Sequence, residues 1–188
     1  SDITAKALKG LEQVIKEVNP NIVLVHGDTT TTFAGALASY YCQVDVGHVE
    51  AGLRTWNKYS PFPEEMNRQM VGVIADMHFA PTENSKKSLL SEGKKEEDIF
   101  VTGNTAIDAL ETTVNDKYNN DIFNWVGNDK LILITAHRRE NLGEPMRGMF
   151  KAIKRILDEN DDVKAIYPVH LNPKVRRVAT EVLGDNEQ

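Results

Sequence analysis

The chain has 188 residues, 40% of them hydrophobic and 27% charged, and its 22 Lys and Arg against 28 Asp and Glu give a formal net charge of −6. This is the composition of a globular protein that can bury a core, so it excludes a disordered chain. No stretch approaches the roughly 20 consecutive apolar residues of a membrane span, and the acidic balance argues against nucleic acid as a partner. One cysteine, no disulfide and no apolar leader lead us to expect a cytoplasmic protein with no membrane partner.

Six short apolar runs rich in β-branched residues predict the strands. Most show no alternation of polar and apolar residues, as expected for strands covered on both faces. The runs are residues 22–25, 44–49, 77–79, 99–101, 131–135 and 165–169.

Segments with helical spacing lie between these runs. The first has an apolar stripe made of Leu8, Leu11, Val14, Ile15 and Val18. A later helix is predicted to begin near Pro145, and a third begins with the cap residue Asn172 before Pro173 and ends at Gly184. Because strand and helix alternate, the sequence predicts the doubly wound α/β class, in which helices cover both faces of a parallel sheet.

Residues 116–130, dense in Asn, Asp and Gly, indicate a loop or linker between two αβ blocks. We place the domain boundary before it, which gives a partial N-terminal domain at 1–103 and, at 104–188, a linker helix with the first half of a second domain. The chain begins within a predicted helix, and neither block has the five or six strands typical of an open sheet. We therefore expect a fragment in which both domains are incomplete.

Ligands of open parallel sheets bind at the carboxyl ends of the strands, so the residues that follow each apolar run are the candidates for a site. After the first run, Gly27 permits a tight turn, and the four threonines that follow Asp28 can cap a helix whose N-terminus favours anions. Asp28 is either an N-cap or a site residue, and so many threonines make another capping side chain unnecessary.

Two His-x-acid units follow neighbouring runs. In each unit, His26 with Asp28 and His48 with Glu50, both side chains point to one side of an extended strand. Such units can hold a metal, but neither has an established ligand spacing, so we predict no metal. The simpler interpretation is that both histidines are hydrogen-bonded residues near the core.

Residues 53–62, which include Arg54, Trp56 and Tyr59, form a polar and aromatic segment suited to recognising a sugar or nucleotide. The segment leads into a helix with Glu64 in its first turn, where the helix dipole favours an acid.

His137 and Arg138 follow a strand of the second block, and arginine is suited to bidentate contact with phosphate. A solvated surface arginine is the alternative. Neither the dinucleotide-binding Gly-x-Gly-x-x-Gly pattern nor a P-loop is present.

These residues predict a cleft between the two blocks that suits a diphosphate. Several carboxylates beside a phosphorylated substrate favour proton transfer over nucleophilic hydrolysis, and the residues alone do not identify the substrate. The predicted lining is Asp28, Glu50, Glu64, His137 and Arg138.

Six segments, in order along nearly the whole chain, closely resemble the bacterial non-hydrolysing UDP-N-acetylglucosamine 2-epimerases. A hydrolysing sister branch carries a Gly-Gly-Glu type segment where this chain has Glu-Ala-Gly-Leu-Arg at 50–54. The six segments are residues 23–32, 48–55, 63–68, 102–105, 137–140 and 167–173.

The resemblance implies two Rossmann-like domains facing across a cleft, the glycosyltransferase B (GT-B) arrangement, in a homodimer. It implies reversible conversion of UDP-N-acetylglucosamine (UDP-GlcNAc) to UDP-N-acetylmannosamine (UDP-ManNAc), which supplies cell-surface polysaccharides. The implied route eliminates UDP across C1 and C2 and adds it back, with no nicotinamide, metal or other cofactor.

By the same resemblance, the catalytic acids are Asp28, Glu50 and Glu64, and the active-site histidine is His137. Substrate contacts are implied for Asp28, Glu50, His137 and Arg138. In some members of the family a second UDP-GlcNAc binds as an activator, through residues that match Glu64, Arg138 and His170.

The phosphate-binding segments found near both ends of family members are absent from this sequence, so we expect little or no activity from the chain alone. Three other functions stay open. They are a glycosyltransferase of the same two-domain build, a non-catalytic fragment that binds a nucleotide sugar, and a metal-dependent hydrolase that uses the His-x-acid units.

Overall fold

The computed structural model describes residues 2–115 and 117–184, and the chain divides into two compact units, the first ending at Val114 and the second beginning at Asn115. The helix Thr105–Thr113 belongs to the first compact unit, whereas the predicted boundary at residue 103 lies before this helix. The assignment of residues 104–188 to a linker helix and a second domain stays a prediction.

The first unit is a four-stranded parallel sheet with its helices. The strands lie side by side in chain order, β1-β2-β3-β4, and each pairs in parallel with the next. A short 3-10 turn at Glu96–Asp98 precedes the last strand. The elements are α1 (Asp2–Val18), β1 (Ile22–His26), α2 (Thr30–Tyr41), β2 (Asp45–Val49), α3 (Glu64–Ile74), β3 (Met77–Ala80), α4 (Glu83–Ser91), β4 (Ile99–Val101) and α5 (Thr105–Thr113).

Over residues 117–184, the second unit has a two-stranded parallel sheet and three α-helices. Its two strands pair from Lys130 with Val163 to Leu133 with Ile166. A 3-10 turn at Arg139–Asn141 precedes its longest helix. The elements are α6 (Asp121–Val126), β5 (Lys130–Leu133), α7 (Glu144–Glu159), β6 (Val163–Ile166) and α8 (Pro173–Leu183). The α/β class with parallel sheets is thus confirmed.

The strand predictions are accurate in the first unit and shifted in the second. β5 and β6 end at Leu133 and Ile166, whereas the runs predict strands to 135 and 169. Pro168 has no N–H with which to continue the ladder beyond β6. The expectation that the strands are covered on both faces is wrong for β1 and β5, because Leu24 and Leu133 are largely exposed.

The linker prediction for residues 116–130 is wrong over the helix α6. Asn120 caps this helix, since its side chain accepts a hydrogen bond from the backbone N–H of Ile122 at 3.0 Å. Gly127, with φ +62°, ends it, and Lys130 already belongs to β5. Residue 116 lies outside the described residues.

The helix predictions hold best where start and stop signals are present. Asn172 caps α8 by accepting from the N–H of Lys174, and Gly184 ends it, as predicted. In α1 the predicted stripe is only partly buried, because Ile15 packs inward while Val14 and Val18 are exposed.

Each unit has its own core. In the first, Val25, Ala36, Val46, Val71 and Ala75 pack where α2 and α3 cover the sheet. In the second, α7 and α8 pack on the strands through Ile134, Met146, Phe150, Val175 and Val178. Among residues 2–115 and 117–184, no helix has both the length and the apolar character needed to cross a membrane.

Gly52 lies in the turn that follows β2. Its φ is +86°, and a β-carbon placed on it would come within 2.3 Å of the Ser85 carbonyl oxygen in α4. This close approach of two backbones explains why a glycine is needed at this turn.

Candidate active site

The turn after β1 is fixed by its threonines rather than by Asp28. Thr29 is the N-cap of α2, and its hydroxyl accepts from the N–H of Thr32 at 3.2 Å. The Thr32 hydroxyl donates to the His26 carbonyl at 2.6 Å. The prediction that Asp28 is not needed as the cap is confirmed, and its carboxylate is available for another role.

Helix α3 holds Asp28 from one side. An Arg68 terminal nitrogen donates to Asp28 Oδ2 at 2.8 Å, and the Asn67 amide donates to the Asp28 carbonyl at 2.9 Å. About a third of the Asp28 side chain stays exposed, at 31%. The carboxylate is therefore oriented by the protein while it remains open to a ligand.

Glu50 directly follows β2 and has a φ of +67°, in the left-handed region that L residues rarely adopt. Its Oε2 lies 3.4 Å from His26 Nε2, and the Asn104 amide donates to its Oε1 at 3.4 Å. Gly27, in the neighbouring turn, has a φ of +74°, a conformation that favours glycine. A non-glycine residue in this conformation costs on the order of 1 kcal/mol, and such strain is typical of functional sites.

Glu64 begins α3 and is partly buried. It precedes Asn67 and Arg68 by one helical turn and shares their face of the helix. Because Asn67 and Arg68 both contact Asp28, Glu64 lies on the face of α3 that borders the Asp28 turn.

The interpretation of the two histidines holds for one of them. His48 is fully buried, and its Nε2 donates to the Gly27 carbonyl at 2.8 Å, which fixes the proton on that nitrogen because a carbonyl only accepts. Burial, partly offset by this hydrogen bond, lowers the pKa of His48 to about 4. His26 is instead more than half exposed, so it is not a core residue. Across the described ranges, no group of three His, Cys, Asp or Glu side chains is placed to hold a metal.

In the second unit, His137 and His170 lie together. Their rings stack with centroids 5.2 Å apart and planes 28° from parallel. The N–H of Asn172 donates to His170 Nδ1 at 3.0 Å, which leaves Nε2 to carry the proton of the neutral ring. The Tyr167 hydroxyl donates to the Ala136 carbonyl at 2.5 Å and ties the two strand exits together.

The six predicted residues are thus divided equally between the units. Asp28, Glu50 and Glu64 lie at the strand exits and helix start of the first unit; His137, Arg138 and His170 follow the strands of the second. Arg138 is exposed, as are His137 and His170.

Sequence reasoning missed three residues that organise the first unit's site: Glu65, Arg68 and Asn104. Charged residues on a helix are usually assigned to solvent, yet Glu65 is fully buried. Their positions could have indicated a role, because Glu65 and Arg68 lie within one helical turn of Glu64, and Asn104 follows the fourth strand. Arg54, predicted to face a ligand, is instead buried and forms two hydrogen bonds with the Glu92 carboxylate.

Comparison with known proteins gives the family. Residues 1–188 match the family model described as UDP-N-acetylglucosamine 2-epimerase. The UDP-N-acetylglucosamine 2-epimerase of Bacillus subtilis is 64% identical over 188 residues, which are 100% of this chain and 50% of that protein. The enzyme of that name from Escherichia coli K12 is 45% identical over 193 residues, covering 98% of this chain and 51% of the relative.

Solved structures agree in fold. A crystal structure of a putative UDP-N-acetylglucosamine 2-epimerase from Listeria monocytogenes has a TM-score of 0.95 at 60% identity, covering 98% of this chain and 49% of that one. The Neisseria meningitidis UDP-GlcNAc 2-epimerase, solved with UDP-GlcNAc bound, has a TM-score of 0.90 at 44% identity, covering 97% and 52%. The chain spans about half the length of the curated relatives it matches. On the match of all 188 residues, this chain belongs to the UDP-N-acetylglucosamine 2-epimerase family.

Proposed function

We propose that this chain supplies the catalytic side chains of an enzyme that interconverts UDP-GlcNAc and UDP-ManNAc. The observation that carries the proposal is the pair of oriented, partly exposed carboxylates at adjoining strand exits. Arg68 holds Asp28, while His26 and Asn104 flank Glu50. Family membership and the relative solved with UDP-GlcNAc support the choice of substrate.

The proposed reaction is an elimination followed by an addition. A carboxylate takes the proton from C2 of the sugar, the C–H electron pair forms the C1=C2 double bond, and the C1–O bond breaks to release UDP. A proton then returns to the opposite face of C2, and a UDP oxygen rebuilds the bond to C1. The two steps together are redox-neutral, and UDP and the proton lost in the first step are replaced in the second. The side chains therefore need only to move protons and stabilise charge.

We assign proton transfer to the carboxylates of Asp28, Glu50 and Glu64 as a group, without naming the one that removes the C2 proton. His137 and Arg138 are assigned to the negative charge that develops on the departing UDP, because a protonated imidazole or a guanidinium stabilises phosphate oxygens. Asp28, Glu50, His137 and Arg138 are the proposed substrate contacts.

The test follows deuterium at C2. We would incubate UDP-GlcNAc in heavy water with this chain and with a completed protein, in which residues 1–188 replace the matching half of the Bacillus subtilis relative. NMR should show deuterium at C2 and new UDP-ManNAc with the completed protein. If C2 keeps its proton, the proposal fails. A product that forms only when a sugar acceptor is added would favour a glycosyltransferase.

We also propose that Glu64, Arg138 and His170 contact a second UDP-GlcNAc, which activates the enzyme. The stacking of His170 on His137 supports a link between this second molecule and the active-site histidine. Initial rates of the completed protein should rise sigmoidally with UDP-GlcNAc, and His170→Ala should change the shape of the curve. A hyperbolic curve for the unmodified protein would refute this proposal.

Two wider proposals follow from family membership: a homodimer and a cytoplasmic enzyme that supplies cell-surface polysaccharide. Light scattering of the completed protein should give twice the mass of one chain, and a monomer would refute the dimer. Cell fractionation tests the location, and the loss of ManNAc from surface polysaccharide in a deletion strain tests the role.

A further inference from the structure

We propose that Arg68 is a positioning residue for Asp28. Glu65 contacts both Arg68 and the backbone of the segment 53–62, and so links the orientation of Asp28 to the position of that segment. The inference rests on the proposed catalytic role of Asp28. It concerns how the carboxylate is held rather than which reaction it performs.

Arg68 bridges two carboxylates through different nitrogens. One terminal nitrogen donates to Asp28 Oδ2 at 2.8 Å, and the other lies 3.5 Å from Glu65 Oε2. The Arg68 side chain is only 11% exposed. The planar guanidinium fixes the angle between its two donors, so anchoring one at Glu65 sets the direction in which the other meets Asp28.

Glu65 also holds the start of the segment 53–62. Its Oε2 accepts from the N–H of Thr55 and its Oε1 accepts from the N–H of Trp56, both at 3.0 Å. The Gln69 amide donates to Oε1 at 2.8 Å. One buried carboxylate therefore touches both Arg68 and the backbone of the segment.

The aromatic side chains of the segment are open to solvent. The rings of Trp56, Tyr59 and Phe62 are all more than half exposed. Through Arg68, Glu65 thus connects the exposed aromatic surface of this segment with the carboxylate of Asp28.

The charge state of Glu65 suits this role. Burial alone would raise its pKa, but the hydrogen bonds from Gln69, Thr55 and Trp56 outweigh burial, and the pKa of Glu65 is lowered. The side chain is an anion at neutral pH and can anchor the Arg68 cation.

The arrangement is a poor choice for stability alone. Arg68 Nε is buried, and within residues 2–115 and 117–184 it has no hydrogen-bond partner. A buried ion pair with an unsatisfied donor contributes less to stability than well-packed apolar side chains of similar volume. Orientation of Asp28 is the role that explains an arginine here.

The first test uses the completed protein with Arg68→Met, Arg68→Lys and the double variant Glu65→Gln with Arg68→Met. We expect Arg68→Met to lower kcat on the order of 10²-fold with KM nearly unchanged, since misplacing a catalytic group has an effect of this size. Arg68→Lys should recover only part of kcat, because a single ammonium group cannot replace the two terminal nitrogens of the guanidinium. In the double variant kcat should stay low whether or not the thermal stability lost in Arg68→Met is regained.

If Arg68 only stabilised the fold, kcat would follow thermal stability in these variants. If kcat of the double variant returns together with its melting temperature, or if Arg68→Met keeps full kcat, the inference is overturned. The matched control is Arg147→Met, which removes a partly buried arginine that pairs with Glu144 and Glu181 in the second unit, away from Asp28 and the segment 53–62. It should lower stability and leave kcat of the folded protein within about 2-fold, a change typical of a residue without contact to the reacting groups.

A second test needs no activity and uses this chain with Trp125→Phe, so that Trp56 is the single tryptophan. Glu65→Gln should lower the fluorescence anisotropy of Trp56, because the one oxygen of glutamine cannot accept from the backbone N–H groups of both Thr55 and Trp56. Asp28→Asn should also change the anisotropy when Arg68 is present, and should have no effect beside Arg68→Met. Equal effects of Asp28→Asn in both backgrounds would overturn the coupling. If the completed protein is inactive, the proposed function fails, while this cycle still decides whether Arg68 links Asp28 to the segment.

Discussion

The candidate residues of the two units are held in different ways. In the first unit, Asp28 and Glu50 have partners inside the protein, and the buried Glu65 and Arg68 lie behind Asp28. In the second unit, the candidate residues are exposed side chains, and the rings of His137 and His170 stack on each other.

This difference matches the chemistry proposed for each unit. Proton transfer at carbon requires a carboxylate at a fixed distance and angle, which a buried network can supply before substrate binds. Binding of a diphosphate requires charge that a ligand can reach, which exposed basic side chains supply.

The largest expected effect is loss of a first-unit acid. In the completed protein, Asp28→Asn and Glu50→Gln should each lower kcat by about 10³-fold, within the range known for a general acid or base. Steady-state kinetics with UDP-GlcNAc measures this, and circular dichroism confirms that the variants fold. A loss below tenfold for both would mean that the oriented carboxylates do not transfer the proton.

Loss of the second-unit histidine should have a smaller effect. His137→Ala is expected to lower kcat on the order of 10²-fold, the effect of removing one group that stabilises charge in the transition state. Its thermal stability should match that of the unmodified protein because the side chain is exposed. A stability loss comparable to that of Arg68→Met would show that this unit also depends on internal anchoring.

Acid should destabilise the first unit before the second. Burial is the main cause that lowers the pKa of both His48 and His78 to about 4, below the ordinary value near 6.5. Between these pH values the unfolded chain binds more protons, so stability is complete above about pH 6.5 and falls as the pH drops towards 4. The loss is on the order of 3 kcal/mol for each histidine, at about 1.4 kcal/mol per pKa unit.

Each unit has its own tryptophan, which makes this measurable. Urea unfolding of this chain at pH 7, 5.5 and 4.5 can be followed by Trp56 in the first unit, with Trp125→Phe, and by Trp125 in the second, with Trp56→Phe. His78→Phe should flatten part of the pH dependence seen with Trp56. An equal pH dependence at both tryptophans would contradict the assignment to the buried histidines.

The smallest effects compare two helix caps. Thr29→Ala and Asn172→Ala should each lower the free energy of unfolding by about 1 kcal/mol, since each removes a side chain that accepts from a helix N–H. Only Thr29→Ala should also reduce kcat of the completed protein, because Thr29 adjoins Asp28. Equal kcat values for the two variants would show that the cap does not affect the Asp28 turn.

The sequence predicts those features of the fold that depend on local patterns. Apolar runs locate the six strands seen in residues 2–115 and 117–184, and the Asn172, Pro173 and Gly184 signals locate α8. The Asn, Asp and Gly content of residues 116–130 predicts a loop or linker. The short helix within this range depends on one capping side chain, Asn120, which composition does not reveal.

The candidate site shows the same limit. Asp28 and Glu50 are predictable because each follows an apolar run at a strand exit. The contact between Arg68 and Asp28 joins residues 40 positions apart, and no spacing rule within one helix reveals it. Glu65 and Arg68 have the composition of a solvated helix face, and only the packing of α3 on the Asp28 turn shows where they lie.

The turn at Gly52 limits how this site could be redesigned. A saturation library at this position should return almost only glycine, because a β-carbon would stand 2.3 Å from the Ser85 carbonyl oxygen and φ is +86°. Gly52 follows Glu50 closely, so the clearance between the turn and α4 also fixes the place where Glu50 leaves the sheet. Substitutions intended to alter this site would therefore be made among the exposed aromatic side chains of 53–62, with this turn kept unchanged.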